Sequence, residues 1–236
     1  MKKLTSIAVL LCAAVLASCG EEAFPDITGP IAESRIKFFN FGVGAPGVYF
    51  YANNNKVAGI SSTGPVINSA TGIVTGGAES TTGTVYGGVT AGGYYSAIAP
   101  GSYDLTGKIA ATIDYGLAVS KVATNLAAGK SYSYYMSGIY DATGKTVDAF
   151  VVEDNYPAAF DWTQAYVRFV NAVSNSNPMI LYAKNTTTLA EVPVGAIVAY
   201  KGGGAFTAVP NGVYDLGARE SGATTNLEVV DAERRS

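Results

Sequence analysis

The sequence predicts an all-β protein with two related β domains, and three observations support this fold class. First, residues 35–54 match residues 166–185 without a gap, so that Phe38 aligns with Phe169 and Asn40 with Asn171. An internal repeat of this kind sets the domain plan. Second, the chain is rich in Gly (28) and Tyr (16), and only 14% of its residues are charged, which favours strands joined by turns. Third, no long stretch shows the 3.6-residue apolar period of a helix.

The chain begins with the features of a bacterial lipoprotein leader. Lys2 and Lys3 precede a mostly apolar run, Leu4 to Val15, of signal-peptide length. Leu16-Ala-Ser-Cys19 follows and resembles a lipobox, in which cleavage precedes the Cys and its sulfur carries a diacylglycerol. We therefore predict a helical signal peptide at residues 1–18 and lipidation of Cys19. An ordinary secretory signal that happens to end in Cys is the alternative.

Cleavage of this leader would leave a body without thiol chemistry. Cys12 leaves with the leader, Cys19 carries the lipid, and the chain contains no His. A disulfide and a Cys or His metal site are thereby excluded from the body. Loss of Lys2 and Lys3 also makes an acidic chain more acidic, which argues against nucleic acid as a partner.

Residues 19–33 are interpreted as a tether with Gly and Pro. Glu21-Glu22, close to the lipid site, resembles the export signal of lipoproteins on the outer face of the outer membrane in Bacteroidetes. The expected location is therefore the cell envelope, as an outer-membrane lipoprotein exposed at the surface. A solvated acidic linker is the alternative reading of the same residues.

Residues 34–155 are predicted to form the first β-sandwich domain. Ile36 and Phe38 alternate with Arg35 and Lys37, the pattern of a half-buried strand. The next strands are predicted at Val48–Ala52 and Lys56–Ile60, with a turn between them. Residues 61–83 are rich in Gly, Ser and Thr and have no counterpart in the second copy. They are predicted to be an insertion, with short strands in Pro65–Asn68 and Gly72–Thr75.

The rest of the first domain is predicted to hold strands at Thr84–Tyr86 and Tyr94–Ile98, then a Pro-led turn that feeds a strand. This last signature is repeated, because Ala99–Leu105 matches Val209–Leu216 with one residue inserted. A hairpin closes the domain, with strands Ser131–Tyr140 and Lys145–Glu153. Its turn is expected to place Gly144 in the left-handed region.

The second domain is predicted at residues 164–236, after a linker at residues 156–163. Its Asn226-Leu227 matches Asn125-Leu126, yet no residues follow that could form the hairpin closing the first domain. We therefore expect this β-sandwich to be incomplete at its C-terminus, with an open sheet edge and part of its core uncovered.

The repeated segments resemble domain-of-unknown-function family 4397. They read RIKFFNFGVGAPGVYFYANN and YVRFVNAVSNSNPMILYAKN, close to that family's V-R-F-V-N-A-S-P-D-A-P-x-V-D-V-Y. The later Pro-Gly-Ser-Tyr-Asp-Leu is similar to its P-A-G-x-Y-x-L. The resemblance implies tandem Ig-like or prealbumin-like β-sandwiches in secreted or lipid-anchored proteins. The acidic position of the family's S-P-D-A-P element is lost in both copies, and the resemblance supplies no catalytic residue.

The sequence gives no indication of catalysis. Without His or a free Cys, triads of the Ser-His-Asp and Cys-His kinds are excluded, and no D-x-[DN]-x-[DN]-G calcium loop is present. A calcium site assembled from separate loops stays open. We predict no enzyme activity, no cofactor and no metal.

The tyrosines carry the one binding hypothesis. In residues 131–140, Tyr132, Tyr134, Met136 and Tyr140 share one face, which we expect to be core, with a binding stripe as the alternative. The opposite face, with Ser131, Ser133, Tyr135 and Ser137, is expected to be exposed to solvent. The candidate binding surface comprises Tyr94, Tyr95, Tyr135 and Trp162, although for Trp162 inter-domain packing is the preferred interpretation. Lys37 and Arg168 occupy matching outward positions and are interpreted as a solvated face.

We therefore expect a lipid-anchored envelope protein that binds a glycan or a surface protein. A structural spacer or an assembly component of a surface complex is the alternative function. In both cases the N-terminal lipid makes the membrane a partner.

Overall fold

A computed structural model describes residues 33–58, 66–67, 74–75 and 81–227, within a compact unit that spans Ala32–Ser236. The predicted signal peptide, Cys19, nearly all of the tether and residues 228–236 lie outside the described residues. The described part is all-β, as predicted. Its one short helix is the 3-10 turn Thr90–Gly93. Within these ranges no helix has the length and apolarity needed to cross a bilayer.

We call residues 34–155 the N-terminal half and residues 164–227 the C-terminal half. The strands of the N-terminal half are β1 (Ser34–Val43), β2 (Val48–Ala52), β3 (Asn55–Ala58), β4 (Val66–Ile67), β5 (Val74–Thr75), β6 (Gly88–Val89), β7 (Ser96–Ile98), β8 (Gly101–Ile109), β9 (Ala118–Leu126), β10 (Ser131–Asp141) and β11 (Thr146–Glu153). Those of the C-terminal half are β12 (Gln164–Val167), β13 (Met179–Asn185), β14 (Glu191–Val198), β15 (Thr207–Pro210) and β16 (Tyr214–Glu220).

The N-terminal half forms two layers over one core, the arrangement of a β-sandwich. One sheet has the order β11-β10-β1-β6, with β7 also paired to β1, and the other has the order β3-β2-β8-β9. The strands β1 and β10 run parallel, whereas the other pairs of these two sheets are antiparallel. Alternate residues of each strand face inward, so that Phe38 stacks on Phe50 at 4.8 Å and both lie near Tyr134.

The C-terminal half repeats part of this plan with fewer strands. Among the described residues, β12 pairs only with β15, and β13 lies between β14 and β16. Its small core contains Leu181, Ala183, Val194 and Val209. Counterparts of β9, β10 and β11 are absent from the described residues of this half.

The sequence repeat is reproduced in the strand register. Ala52 of β2 pairs with Leu105 of β8, and the matching residues Ala183 and Leu216 pair in the same way between β13 and β16. Likewise Val48 bridges Thr84, and its counterpart Met179 pairs with Val198. Equivalent residues therefore make equivalent backbone contacts in the two halves.

Asn40 and Asn171, which match in the repeat, have the same structural role in the two halves. Asn40 and Asn171 are both fully buried. The Asn40 side-chain amide donates to the Thr84 carbonyl at 2.8 Å, and its oxygen accepts from the Gly42 backbone N–H at 3.2 Å. Asn171 does the same with the Val198 carbonyl (3.2 Å) and the Val173 N–H (3.0 Å). Each asparagine thus ties the start of a loop to the returning strand, and an apolar residue would leave buried backbone groups unpaired.

The register also locates the inserted segment. In the C-terminal half, only residues 195–197 separate Val194, which pairs with Leu181, from Val198. In the N-terminal half, residues 59–83 separate Ala58, which pairs with Phe50, from Thr84. The chain therefore leaves and rejoins the same hairpin at equivalent points. Within the insertion, only Val66–Ile67 paired with Val74–Thr75 and residues 81–83 are described.

Several local predictions were correct, and three need correction. The strands Val48–Ala52, Ser131–Tyr140 and Lys145–Glu153 agree with β2, β10 and β11 to within a residue. In residues 84–86, however, only Thr84 makes a bridge, and β7 begins at Ser96 rather than Tyr94. In the hairpin turn the positive φ falls on Lys145 (52°) and not on Gly144.

The wet face predicted for β10 was wrong. Ser131, Ser133, Tyr135 and Ser137 are all buried, as are Tyr132, Tyr134 and Met136 on the opposite face. This face is buried because the C-terminal half packs on the sheet. The Tyr200 hydroxyl, for example, lies 2.9 Å from the Ser137 hydroxyl. The solvated position predicted for Arg168 was also wrong, because its side chain is almost fully buried where it pairs with Asp154.

Candidate functional site

A cleft of about 460 Å³ lies where the two halves meet. We call it the interface cleft. Its walls come from the outer face of β1 and β10 and from the segment that begins with β12. It is lined by Lys37, Phe39, Phe41, Tyr135, Tyr156, Tyr166, Val167, Arg168, Val170, Ala172 and Phe206.

Strand alternation places these side chains in the cleft. On β1, Ile36 and Phe38 enter the core, so that Lys37 and Phe39 project from the opposite face. In the matching segment of the C-terminal half, Tyr166 and Arg168 take the same outward direction. Because the halves pack with these outward faces together, the repeat supplies both walls of one cleft.

Stacked rings form one wall of the interface cleft. Phe39 stacks on Tyr135 with ring centroids 4.8 Å apart, and Tyr135 stacks on Phe150 at 5.1 Å. Phe41 lies 5.5 Å from Phe39. Rings packed against rings on a central sheet have little rotamer freedom, so this wall is rigid.

The other wall connects to the segment between the halves. Tyr156 stacks on Phe206 at 4.8 Å, and the Arg168 guanidinium lies 5.0 Å from the Phe206 ring centroid. Phe160 meets Tyr166 edge-on at 5.3 Å and lies 5.7 Å from Trp162. Residues 156–162 therefore extend the aromatic lining from the cleft toward solvent.

The carboxylate of Asp154 holds the two walls together. It accepts hydrogen bonds from the Ser133 hydroxyl (2.7 Å) and the Tyr95 hydroxyl (2.5 Å), and it pairs with Arg168. Arg168 also donates to the Glu153 carbonyl at 3.0 Å. Both Asp154 and Arg168 are buried, so the charges neutralise each other in a poorly solvated position.

A second polar contact joins the halves at the other end of β10. The Tyr200 hydroxyl donates to Asp148 at 3.1 Å, and the Lys201 ammonium lies 2.7 Å from the same carboxylate. Burial raises the pKa of Asp148, but the hydrogen bonds from Lys201, the Ala149 N–H and Tyr200 outweigh it and lower the pKa below its ordinary 3.8.

The phenols near the cleft are held in their neutral form. Burial, followed by the hydrogen bonds to Asp154 and Tyr156, raises the pKa of Tyr95 far above 10. Burial also raises the pKa of Tyr135. Both groups thus remain protonated at physiological pH and can serve as hydrogen-bonding and stacking groups, rather than as bases or nucleophiles.

The four candidate binding residues lie in different environments. Tyr135 is only 7% exposed and belongs to the packed wall of the cleft, so a freely accessible Tyr135 is a prediction that the structure corrects. Tyr95 is half-buried beside the cleft, with the Lys37 ammonium 4.6 Å from its ring centroid. Trp162 is 87% exposed beside Phe160, so the preferred interpretation of Trp162 as inter-domain packing was wrong. Tyr94 is 78% exposed and does not line the cleft.

Sequence reasoning missed most of the interface cleft. Phe39, Phe41, Tyr156, Tyr166 and Phe206 were not singled out, and Asp154 was not identified as a contact between the halves. One signal was available, because Lys37 and Arg168 occupy matching repeat positions, but the pattern cannot show that two outward faces meet. No group of three or more His, Cys, Asp or Glu suited to hold a metal ion occurs in the described ranges.

No family model matches the chain, and no curated protein matches it. The resemblance to the family of unknown function therefore stays a prediction.

Proposed function

We propose that this protein is a non-catalytic binding module of the cell envelope that recognises a glycan in the interface cleft. The observation that carries the proposal is the lining of that cleft, in which six aromatic side chains accompany Lys37 and Arg168. A sugar ring has apolar C–H faces that stack on aromatic rings, and its hydroxyl groups hydrogen-bond around its edge. A cleft with rigid aromatic walls and a few polar groups is suited to such a ligand.

The exposed end of the aromatic lining favours a chain of sugars. Phe160 and Trp162 continue outward from Tyr166, and both present large apolar surface to solvent. Exposed aromatic side chains that adjoin a cleft are typical of an interaction surface. We infer that the cleft binds one or two sugar units and that Trp162 contacts the next unit along the chain.

We further propose that the two halves are tandem copies of one Ig-like or prealbumin-like β-sandwich, anchored to the outer membrane by a lipid on Cys19. The equal registers of β2 with β8 and of β13 with β16 support a common ancestor. The lipobox-like Leu16–Cys19 and the acidic pair Glu21-Glu22 support the anchor and the surface location.

The glycan proposal is tested with the full-length protein in detergent micelles on a glycan array, followed by calorimetric titration of any hit. Phe206→Ala removes one cleft wall and should weaken binding about tenfold, equivalent to about 1.4 kcal/mol. Tyr94→Ala removes an exposed tyrosine outside the cleft and should leave the affinity unchanged. Thermal melts of both variants show whether the fold is retained. An array without a specific hit, or a hit that is insensitive to Phe206→Ala, would contradict the proposal.

The anchor is tested by membrane fractionation of cells that produce Cys19→Ala. The variant should be released from the membrane fraction or accumulate unprocessed. Normal cleavage with undiminished membrane association would show that the anchor lies elsewhere.

A further inference from the structure

The charged side chains that line the interface cleft are cations. Among the described residues, Lys37 and Arg168 contribute to its lining, whereas no Asp or Glu does. The whole chain, by contrast, has more acidic than basic residues, 18 against 15. Because a cleft that carries one sign of charge concentrates ligands of the opposite sign, this lining favours an anionic ligand.

The charge of Arg168 is neutralised within the protein. Its guanidinium pairs with the buried carboxylate of Asp154, which also accepts hydrogen bonds from the Ser133 and Tyr95 hydroxyls. One cation and one anion in contact add little net charge to the cleft. A ligand that displaced Asp154 from Arg168 would leave a buried carboxylate unpaired, so Arg168 is poorly suited to bind an anionic ligand.

Lys37 lacks such a partner. In the described part of the chain its ammonium pairs with no carboxylate, unlike Lys121, Lys130, Lys145 and Lys201, each of which does. It lies 4.6 Å from the centroid of the Tyr95 ring and 5.7 Å from that of Phe39. Aromatic faces attract a cation but leave its net charge in place. Lys37 therefore supplies the cleft with a positive charge that a ligand can neutralise.

The surroundings of Lys37 hold its ammonium at the edge of the aromatic wall. The Tyr95 ring beside it is fixed, because its hydroxyl bonds to Asp154 at 2.5 Å and to the Tyr156 hydroxyl at 2.7 Å. Phe39 follows Lys37 by two residues and projects from the same face of β1. A ring stacked on Phe39 would therefore bring the groups on its edge close to the ammonium.

We propose that the glycan bound in the interface cleft is acidic and that its anionic group pairs with Lys37, an inference that rests on the glycan-binding function proposed above. The anionic group is the carboxylate of a uronic acid or a sulfate ester on the sugar ring. Either group accepts charge-assisted hydrogen bonds from an ammonium, and such bonds are about twice as strong as those between neutral groups. The aromatic wall thus binds the sugar face, and Lys37 selects for the charge at its edge.

The first test uses the full-length protein in detergent micelles and a glycan array that pairs acidic glycans with neutral glycans of the same backbone. Methyl esterification neutralises the carboxylates and desulfation removes the sulfate esters, so the two treatments identify the group that is recognised. In calorimetric titration, the neutral form should bind at least about tenfold more weakly than the acidic form. Equal binding of both forms would overturn the inference and leave the proposed function intact. An array without any specific hit would contradict the proposed function itself.

Variants assign the selection to Lys37. Lys37→Met keeps the length of the side chain without its charge, and it should weaken binding of the acidic glycan about tenfold while leaving binding of the neutral form unchanged. Lys37→Arg keeps the charge and should retain most of the affinity. Lys121→Met, at an exposed position on the other sheet, is the matched control and should have no effect. If Lys37→Met weakens binding of both forms equally, Lys37 has a structural role and the inference is wrong.

The dependence of affinity on salt provides an independent measurement. An ion pair in a cleft open to solvent is screened by salt, so an increase in NaCl from about 0.05 M to about 0.5 M should weaken binding of the acidic glycan several-fold. The same increase should have little effect on the neutral form, or on binding of the acidic glycan by Lys37→Met. If Lys37→Met retains the full salt dependence, the anionic group pairs with a different cation and the assignment to Lys37 is refuted.

Discussion

The two halves share a sequence pattern and a strand register, but they differ in what covers them. In the N-terminal half, β9, β10 and β11 complete the sandwich, and Leu105 is fully buried. In the C-terminal half, no described strand takes these places, and Leu216 is 59% exposed. The comparison shows that a repeated segment specifies its local pairing, whereas the burial of its side chains depends on strands elsewhere in the chain.

The same comparison applies to the outward faces. Lys37 and Arg168 are repeat partners, and each lies close to an aromatic ring. Only Arg168 is buried and paired with a carboxylate, Asp154. Both cations line the interface cleft, and the one in the C-terminal half also forms an ionic contact between the halves.

The largest expected effect comes from removing that ionic contact. Arg168→Met leaves Asp154 buried without its cation and should lower the free energy of unfolding by about 3–5 kcal/mol. Lys37→Met, the matched change, should cost less than about 1 kcal/mol. Chemical denaturation of both variants measures the difference. Arg168→Met combined with Asp154→Asn should recover much of the lost free energy of unfolding. Equal effects of Arg168→Met and Lys37→Met would show that the two repeat positions contribute equally to stability.

A slightly smaller effect is expected from the matched leucines. Leu105→Ala creates a cavity in a closed core and should cost about 2–5 kcal/mol. Leu216→Ala removes a side chain that is already exposed, and its effect should stay within about 0.5 kcal/mol. The measurement is the midpoint and slope of urea unfolding. A large loss for Leu216→Ala in the isolated protein would mean that this leucine is covered in solution.

The matched asparagines should instead behave alike. Asn40→Ala and Asn171→Ala each leave buried backbone groups without partners, for a cost of about 1–3 kcal/mol in either half. Urea unfolding again measures the effect, with Asn54→Ala, at an exposed turn, as the surface control. If only one of Asn40→Ala and Asn171→Ala lowers the free energy of unfolding, the two loops do not depend on the same contact.

The smallest effect is expected from the insertion. Residues 59–83 can be replaced by the Gly-Ala-Ile of residues 195–197, because the flanking residues occupy equivalent register positions. Since loop length contributes little to stability, the change should stay within about 1 kcal/mol. Thermal melting of the shortened protein checks this. A loss of cooperative unfolding would show that the insertion contributes to the core of the N-terminal half.

Much of the strand pattern could be predicted from local sequence. The alternation of Arg35 to Phe38 gave the inward and outward faces of β1, and the repeat placed β13 once β2 was assigned. For the serine-bearing face of β10, the same reasoning gave a wrong prediction. Its alternation was read correctly, but small polar residues were taken as solvent-facing, whereas Ser133 and Ser137 bond to groups that pack against the sheet.

The interface cleft was harder to predict than the strands. Its aromatic residues come from β1, β10, the segment between the halves and residue 206, which are far apart in the sequence. No spacing rule links Phe39 to Phe206. The sequence pointed to tyrosines as binding residues. In the structure, however, Tyr135 belongs to a packed wall of the cleft and Tyr94 lies outside the cleft.

The sequence by itself determined the all-β class, the repeat and the register that the repeat preserves, because side-chain alternation and turn residues act over a few neighbouring positions. Tertiary structure alone decided which of the outward faces are also buried. The contact between the halves turned a Ser-rich strand face into an interface and paired Arg168 with Asp154. It left Leu216 exposed where Leu105 is covered. Burial depends on which surfaces meet across the whole chain, and a local pattern carries no information about that meeting.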